Sequence, residues 1–98
     1  MKIKNINGTG DNKCNCDSWL DHWNKFSGRT IPFCSVVYCM GHDLVGAHVQ
    51  KEGDTDNKLY IIPLCRGHNA ETGKSFTIKD SYPLVSANVS ETCGKKKG

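Results

Sequence analysis

The sequence lacks any long hydrophobic run. No stretch of its 98 residues is apolar enough to span a bilayer, and the polar start MKIKNINGTGDNK lacks the hydrophobic segment of a secretion signal. We therefore expect a cytoplasmic protein with reduced thiols and no membrane partner. A secreted protein held together by disulfides stays open as an alternative, because N-x-S/T triplets begin at Asn7 and Asn88.

A strong charge of either sign is also missing. The formal net charge is +3, and part of it comes from the lysines at positions 95, 96 and 97. This charge permits contact with DNA or RNA without requiring it. Hydrophobic residues make up 37% of the chain and the mean hydropathy is -0.53, so the apolar core is thin. A metal ion or disulfides are therefore expected to add stability.

Cysteine and histidine, in contrast, are plentiful: the chain contains six cysteines and four histidines. In a chain with reduced thiols, this composition indicates metal ligands rather than disulfides. Zinc takes four nitrogen or sulfur ligands, which chains commonly supply as two closely spaced pairs. One pair is Cys65 and His68, at the end of an apolar, strand-like run.

The second pair lies upstream and has two alternatives. Cys34 and Cys39 are separated by four residues, whereas Cys39 and His42 are separated by two. A second thiolate neutralises a zinc ion more completely than an imidazole does. The predicted ligands of a structural zinc ion are therefore Cys34, Cys39, Cys65 and His68. The set with His42 in place of Cys34 stays open.

Hydrophobic spacing predicts a helix over residues 16–28, followed by a hairpin. The helix places Trp19, Leu20, Trp23 and Phe26 on one buried face. Later apolar runs predict hairpin strands at 44–50 and 59–64, a short helix from Arg66, and strand pieces at 76–78 and 84–89. We expect a disordered lead over residues 1–13, one zinc-binding domain over residues 14–93 and a basic tail over residues 94–98. Cys14 and Cys16 are interpreted as ordinary thiols beside the helix start.

The order of these features resembles the treble-clef zinc finger, in which a turn with two ligands precedes a hairpin and a ligand-bearing helix. Two segments are similar to the HNH endonuclease superfamily: Ala47-His48-Val49, and the run from Leu64 through Cys65 and His68 to Asn69. The resemblance covers roughly residues 34–72. It implies an α+β fold with a small zinc-stabilised ββα core, to which the N-terminal aromatic helix is added.

The resemblance also implies a function. In such nucleases the strand histidine is the general base, so His48 would activate water, and Asn69 would occupy the place of a ligand to a catalytic Mg²⁺ or Mn²⁺ ion. Ala47 departs from the pattern, because many of these nucleases have a metal-binding aspartate there. We therefore predict an HNH-like zinc module that binds a nucleic acid or a protein, with a metal-dependent endonuclease as the alternative.

Overall fold

The chain folds into an antiparallel sheet with two helices. A computed structural model describes residues 1–6, 16, 18–53 and 58–88, and all statements below concern these residues. In chain order the elements are β1 (Lys2–Asn5), α1 (Trp19–Ser27), β2 (Leu44–Lys51), β3 (Tyr60–Cys65), α2 (Arg66–Asn69), β4 (Ser75–Thr77) and β5 (Val85–Ser86). The predicted α+β class is confirmed. Neither α1 nor α2 has the length and apolarity needed to cross a membrane.

The β2–β3 hairpin forms the middle of the sheet, whose strand order is β4-β1-β2-β3-β5. Its antiparallel register runs from Leu44 opposite Cys65 to Val49 opposite Tyr60. The predicted hairpin is thus confirmed, with its second strand extended to Cys65. Since side chains alternate between the faces of a sheet, Ala47 and Val49 share one face and His48 points to the other.

Helix α1 packs on the hairpin and closes one side of the core. The Ser18 hydroxyl caps its start by accepting a 3.0 Å hydrogen bond from the Asp21 N–H, and Gly28 ends it in the left-handed conformation, at φ +69°. Trp23 is fully buried, and its indole N–H donates to the Pro83 carbonyl at 2.8 Å. The helix predicted over residues 16–28 is confirmed within narrower bounds, but Phe26, which was predicted on the buried face, is partly exposed.

Strand β2 meets α1 at a point of very close contact. A Cβ atom added at Gly46 would lie 2.3 Å from the Trp19 carbonyl carbon and 2.5 Å from the Leu20 nitrogen. Both are backbone atoms, which cannot rotate out of the way. Glycine is therefore required at position 46 for the helix to lie on the hairpin at this distance.

Strand β1 was not expected. The sequence predicts a disordered lead over residues 1–13, but Lys2–Asn5 pairs with β2 on one side and β4 on the other. Ile3 and Asn5 are fully buried. Only two residues of this strand point inward, so the alternation of buried and exposed side chains is too short to be recognised in the sequence. The strand forms because it pairs with segments that are distant along the chain. Residues 7–13 of the lead and the tail at 94–98 lie outside the described residues.

Candidate metal centre

Four side chains converge at the end of the hairpin. Cys34 and Cys39 belong to a tight loop, residues 34–41, which we call the knuckle. Cys65 ends β3 at the N-cap of α2, and His68 lies in that helix. Each of the four offers one donor atom, and these atoms all lie within 4.8 Å of one another. The structure thus brings together the four predicted ligands, whereas His42 is exposed and lies outside this cluster.

The spacing within the cluster suits a single metal ion. His68 Nδ1 lies 3.2 Å from Cys65 Sγ and 3.5 Å from Cys34 Sγ. Ligands of one tetrahedral zinc ion, at about 2.0–2.3 Å from the metal, lie about 3.5–3.8 Å from each other. None of Cys34, Cys39 and Cys65 is in a disulfide. The cluster is therefore a possible Cys₃His metal-binding site.

Backbone hydrogen bonds shape the knuckle. The Cys34 N–H donates to the Gly41 carbonyl at 2.8 Å and closes the loop, and the Cys39 N–H donates to the Val36 carbonyl at 3.1 Å. The inner turn places Tyr38 in the left-handed region, at φ +63°. Both cysteines consequently point toward the hairpin end.

Gly41 allows the knuckle to approach the end of β3. A Cβ atom at this position would lie 2.9 Å from Cys65 Cβ and 3.4 Å from the sulfur atoms of Cys39 and Cys65. Any larger side chain would therefore push the two halves of the cluster apart. The sequence contains the signal for this contact, a glycine between two candidate ligands, but spacing alone does not reveal its role.

The cysteines of the knuckle sit in different electrostatic surroundings. Burial raises the pKa of the Cys34 thiol from 9.0 to about 11. For Cys39 the pKa is lowered, chiefly because the Gly41 N–H donates to its sulfur at 3.4 Å, and to a smaller extent by the positive charge of Lys79. Metal ions bind the thiolate form, so a cation is what would offset the cost of ionising Cys34 in its buried position. The donor set thus fits a divalent metal.

The two residues predicted to be catalytic are not among the four converging donors. His48 lies on β2 beneath α1, in edge contact with Trp19 at 4.7 Å between ring centroids. Its Nε2 atom is buried without a hydrogen-bond partner among the described residues. Burial lowers the pKa of His48, so its imidazole is held in the neutral form. Asn69 ends α2, and its carbonyl accepts a 2.9 Å hydrogen bond from the Asn5 amide.

Three residues around the cluster were missed by the sequence analysis. The fully buried Asn5 donates from Nδ2 to the carbonyls of α2 and the following turn, the Lys79 ammonium donates to carbonyls of the knuckle, and the Phe76 ring lies edge-on to His68 at 4.9 Å. Asn5 and Lys79 are far from their partners along the chain, and Phe76 follows His68 by eight residues across a turn, so no local pattern marks these contacts.

A further cysteine lies beside a histidine at the start of α1. Cys16 Sγ is 3.9 Å from Nδ1 of the fully buried His22, whose Nε2 lies 2.9 Å from the Ser86 carbonyl oxygen. In the part of the chain that the structure describes, this pair does not form a cluster of three or more metal donors. Cys14 and Cys93 lie outside the described residues.

Comparison with known proteins assigns no family to this geometry. No family model, no curated protein and no solved structure matches the chain. What the fold and the cluster define together is a small α+β domain with a possible Cys₃His metal centre. The likeness to treble-clef and HNH proteins rests on the sequence motifs and on the order of knuckle, hairpin and helix.

Proposed function

We propose that the protein is a zinc-binding module of the treble-clef type, in which zinc joins the knuckle to the start of α2. The observation that carries this proposal is the convergence of Cys34, Cys39, Cys65 and His68, with donor atoms within 4.8 Å of one another. Thiolate and imidazole ligands favour zinc over hard cations such as Mg²⁺. Four protein ligands leave no open position for water, which is typical of a structural ion rather than a catalytic one.

Cobalt substitution tests the metal site directly. Titration of reduced, metal-free protein with Co²⁺ should give one tetrahedral, thiolate-bound ion per chain, and Zn²⁺ should displace it. The variant His42→Ala serves as the matched control for ligand choice and should bind cobalt as the wild type does. A cobalt spectrum without thiolate absorption would contradict the proposed site. Loss of cobalt binding in His42→Ala would instead support the ligand set in which His42 replaces Cys34.

The tip of the knuckle supports a binding role for this module. The side chains of Tyr38 and Met40 are 98% and 66% exposed. Tyr38 also adopts a positive φ, which is uncommon for a bulky residue, and this conformation leaves its ring in solvent. An exposed aromatic ring can stack on a base of single-stranded nucleic acid, and the net charge of +3 favours contact with phosphates. We infer single-stranded nucleic acid as the partner, with a protein as the alternative.

Fluorescence anisotropy with labelled single-stranded DNA and RNA tests this partner. At about 50 mM salt, where phosphate contacts are strong, the zinc-loaded protein should bind, and Tyr38→Ala should weaken binding by about tenfold. Phe26→Ala is the matched control, since Phe26 is a partly exposed aromatic residue on α1. Absence of binding to both oligonucleotides would remove nucleic acid and leave the protein partner.

The endonuclease is the second candidate function. One observation favours it. His48 lies on the first hairpin strand, and Asn69 directly follows His68 in α2, which is the order in HNH nucleases. The burial of the His48 Nε2 atom opposes it, because a general base must reach water. Nicking of plasmid DNA with Mg²⁺ or Mn²⁺ should vanish in His48→Ala at unchanged zinc content. No cleavage by the wild type would rule this function out.

A further inference from the structure

A lysine from outside the ligand-bearing segments donates hydrogen bonds to two carbonyls of the knuckle. Lys79 follows β4, and its ammonium group donates to the Cys34 carbonyl at 2.9 Å and to the Cys39 carbonyl at 3.0 Å. These are the main-chain oxygens of the two ligand residues that the knuckle supplies. One side chain therefore spans the turn that sets the distance between two of the four candidate ligands.

The backbone around Lys79 keeps this side chain in place. The Lys79 N–H donates to the Ser35 carbonyl at 2.8 Å, and the Val37 N–H donates to the Thr77 carbonyl at 3.0 Å. Val36 and Ile78 form an isolated antiparallel bridge between these two hydrogen bonds. A single β-bridge and its flanking hydrogen bonds thus join the knuckle to the segment after β4, and Lys79 is half-buried.

The aromatic ring of Tyr82 also contacts this lysine. Lys79 Nζ lies 5.7 Å from the centre of this ring, within the range of a cation–π contact. Tyr82 is itself buried, and its hydroxyl donates to the Phe33 carbonyl just before the knuckle. Both residues therefore act on the same short stretch of chain.

We propose that Lys79 is a positioning residue of the metal centre, which holds the knuckle in its ligand-bearing conformation and offsets the negative charge of the metal-bound cluster. This inference rests on the proposed zinc site. Three thiolates and a neutral imidazole around Zn²⁺ carry a net charge of about -1, and a cation bonded to the adjacent carbonyls stabilises that charge. Because the hydrogen bonds join protein groups alone, the knuckle is held before the ion binds.

Zinc affinity in competition with a chromophoric chelator tests the assignment. Lys79→Met keeps the aliphatic stem and removes the donors and the charge, so zinc affinity should fall by about tenfold or more. Lys79→Arg restores a cation with several donors and should remain within about threefold of the wild type. Lys74→Met is the matched control, because Lys74 is exposed and bonds to Glu71 on the surface; its affinity should not change.

Two results of this comparison would overturn the proposal. If Lys79→Met binds zinc as tightly as the wild type, the lysine does not position the site. If Lys79→Met and Lys79→Arg lose affinity equally, the cation is not what matters at position 79. The visible spectrum of bound Co²⁺ adds a second readout, since a loosened knuckle should change the tetrahedral bands in Lys79→Met and not in Lys74→Met.

Amine labelling of the wild type keeps the proposal testable if the variants fail to fold. With a limiting amine-acetylating reagent and peptide mapping, Lys79 should react more slowly than Lys74 in both zinc-loaded and metal-free protein, because its ammonium is hydrogen-bonded and half-buried. Equal labelling in both states, or protection in the presence of zinc alone, would overturn it. If the wild-type protein binds no zinc and Lys79 still reacts more slowly than Lys74, the proposed zinc site is wrong, whereas the contact of Lys79 with the knuckle is confirmed.

Discussion

The candidate metal centre and the space beneath α1 both contain histidine side chains, but in different arrangements. At the metal centre, four donor atoms from the knuckle, β3 and α2 lie within 4.8 Å of one another. Beneath α1, Trp19 packs edge-on against both His22 and His48, at 4.9 and 4.7 Å between ring centroids. Of those two imidazoles, His22 is fully buried and His48 is half-buried, and neither belongs to a group of three or more metal donors among the described residues. Convergence of donors, rather than the number of buried histidines, thus marks the candidate site.

Removing one side chain from each region, Cys65 or His48, should have the most different effects on zinc affinity. Cys65→Ser replaces a strong zinc ligand with a weak one, so zinc affinity should fall by about 100-fold or more. His48→Gln removes an imidazole that is not part of the cluster and should leave zinc affinity unchanged. Chelator competition measures both variants. A comparable loss in His48→Gln would show that the two regions act as one site.

The second largest effect is expected where α1 touches β2. Gly46→Ala places a Cβ atom against backbone atoms of Trp19 and Leu20, so it should lower the free energy of unfolding by about 3 kcal/mol. Urea denaturation measures this change. Gly67→Ala is the control, since a Cβ atom there would meet its nearest neighbour, Cys65 Sγ, at an ordinary 3.9 Å. Equal stabilities of the two variants would contradict the close packing of α1.

Gly41→Ala tests the same steric argument at the metal centre. The added methyl group would lie 2.9 Å from Cys65 Cβ and would push the knuckle away from β3. We expect zinc affinity to fall by about tenfold, with a smaller change in the stability of the metal-free protein. Chelator competition and urea denaturation on one sample separate these effects. Unchanged affinity would mean that the knuckle can shift without cost to the site.

The smallest expected effect is a loss of stability in acid that arises at His48, in the α1 region. The pKa of His48 is lowered by burial in the folded protein, so the unfolded chain binds a proton more readily at this residue. Stability of metal-free, reduced protein should therefore be fully present above the ordinary pKa of 6.5 and fall as the pH drops below it. His48→Gln should flatten this profile, whereas a variant of the exposed His42, His42→Ala, should retain it. An unchanged profile in His48→Gln would assign the acid sensitivity elsewhere.

Local patterns predicted much of the fold. The aromatic spacing gives α1, and the apolar runs give the β2–β3 hairpin. The two-residue gap between Cys65 and His68 gives half of the cluster. Each of these signals lies within a few turns of helix or one strand, which is the range over which hydrophobic periodicity and turn chemistry act.

Long-range contacts account for what the sequence did not reveal. Strand β1 has a polar, four-residue sequence and owes its place to pairing with β2 and β4. Asn5 contacts α2, and Lys79 contacts the knuckle. Each of these contacts joins residues at least 40 positions apart in the chain. Whether Cys34 or His42 joins the cluster depends on how the knuckle folds back, and the spacing of residues along the chain does not determine this.

Native mass spectrometry of the protein purified without added reductant tests the central claim most directly. The proposal predicts one zinc ion per chain in the wild type and in His42→Ala, and a clearly lower zinc occupancy in Cys34→Ser and Cys65→Ser. A wild-type chain that carries no zinc and has its thiols joined in disulfides would contradict the metal centre and support the secreted, disulfide-linked alternative.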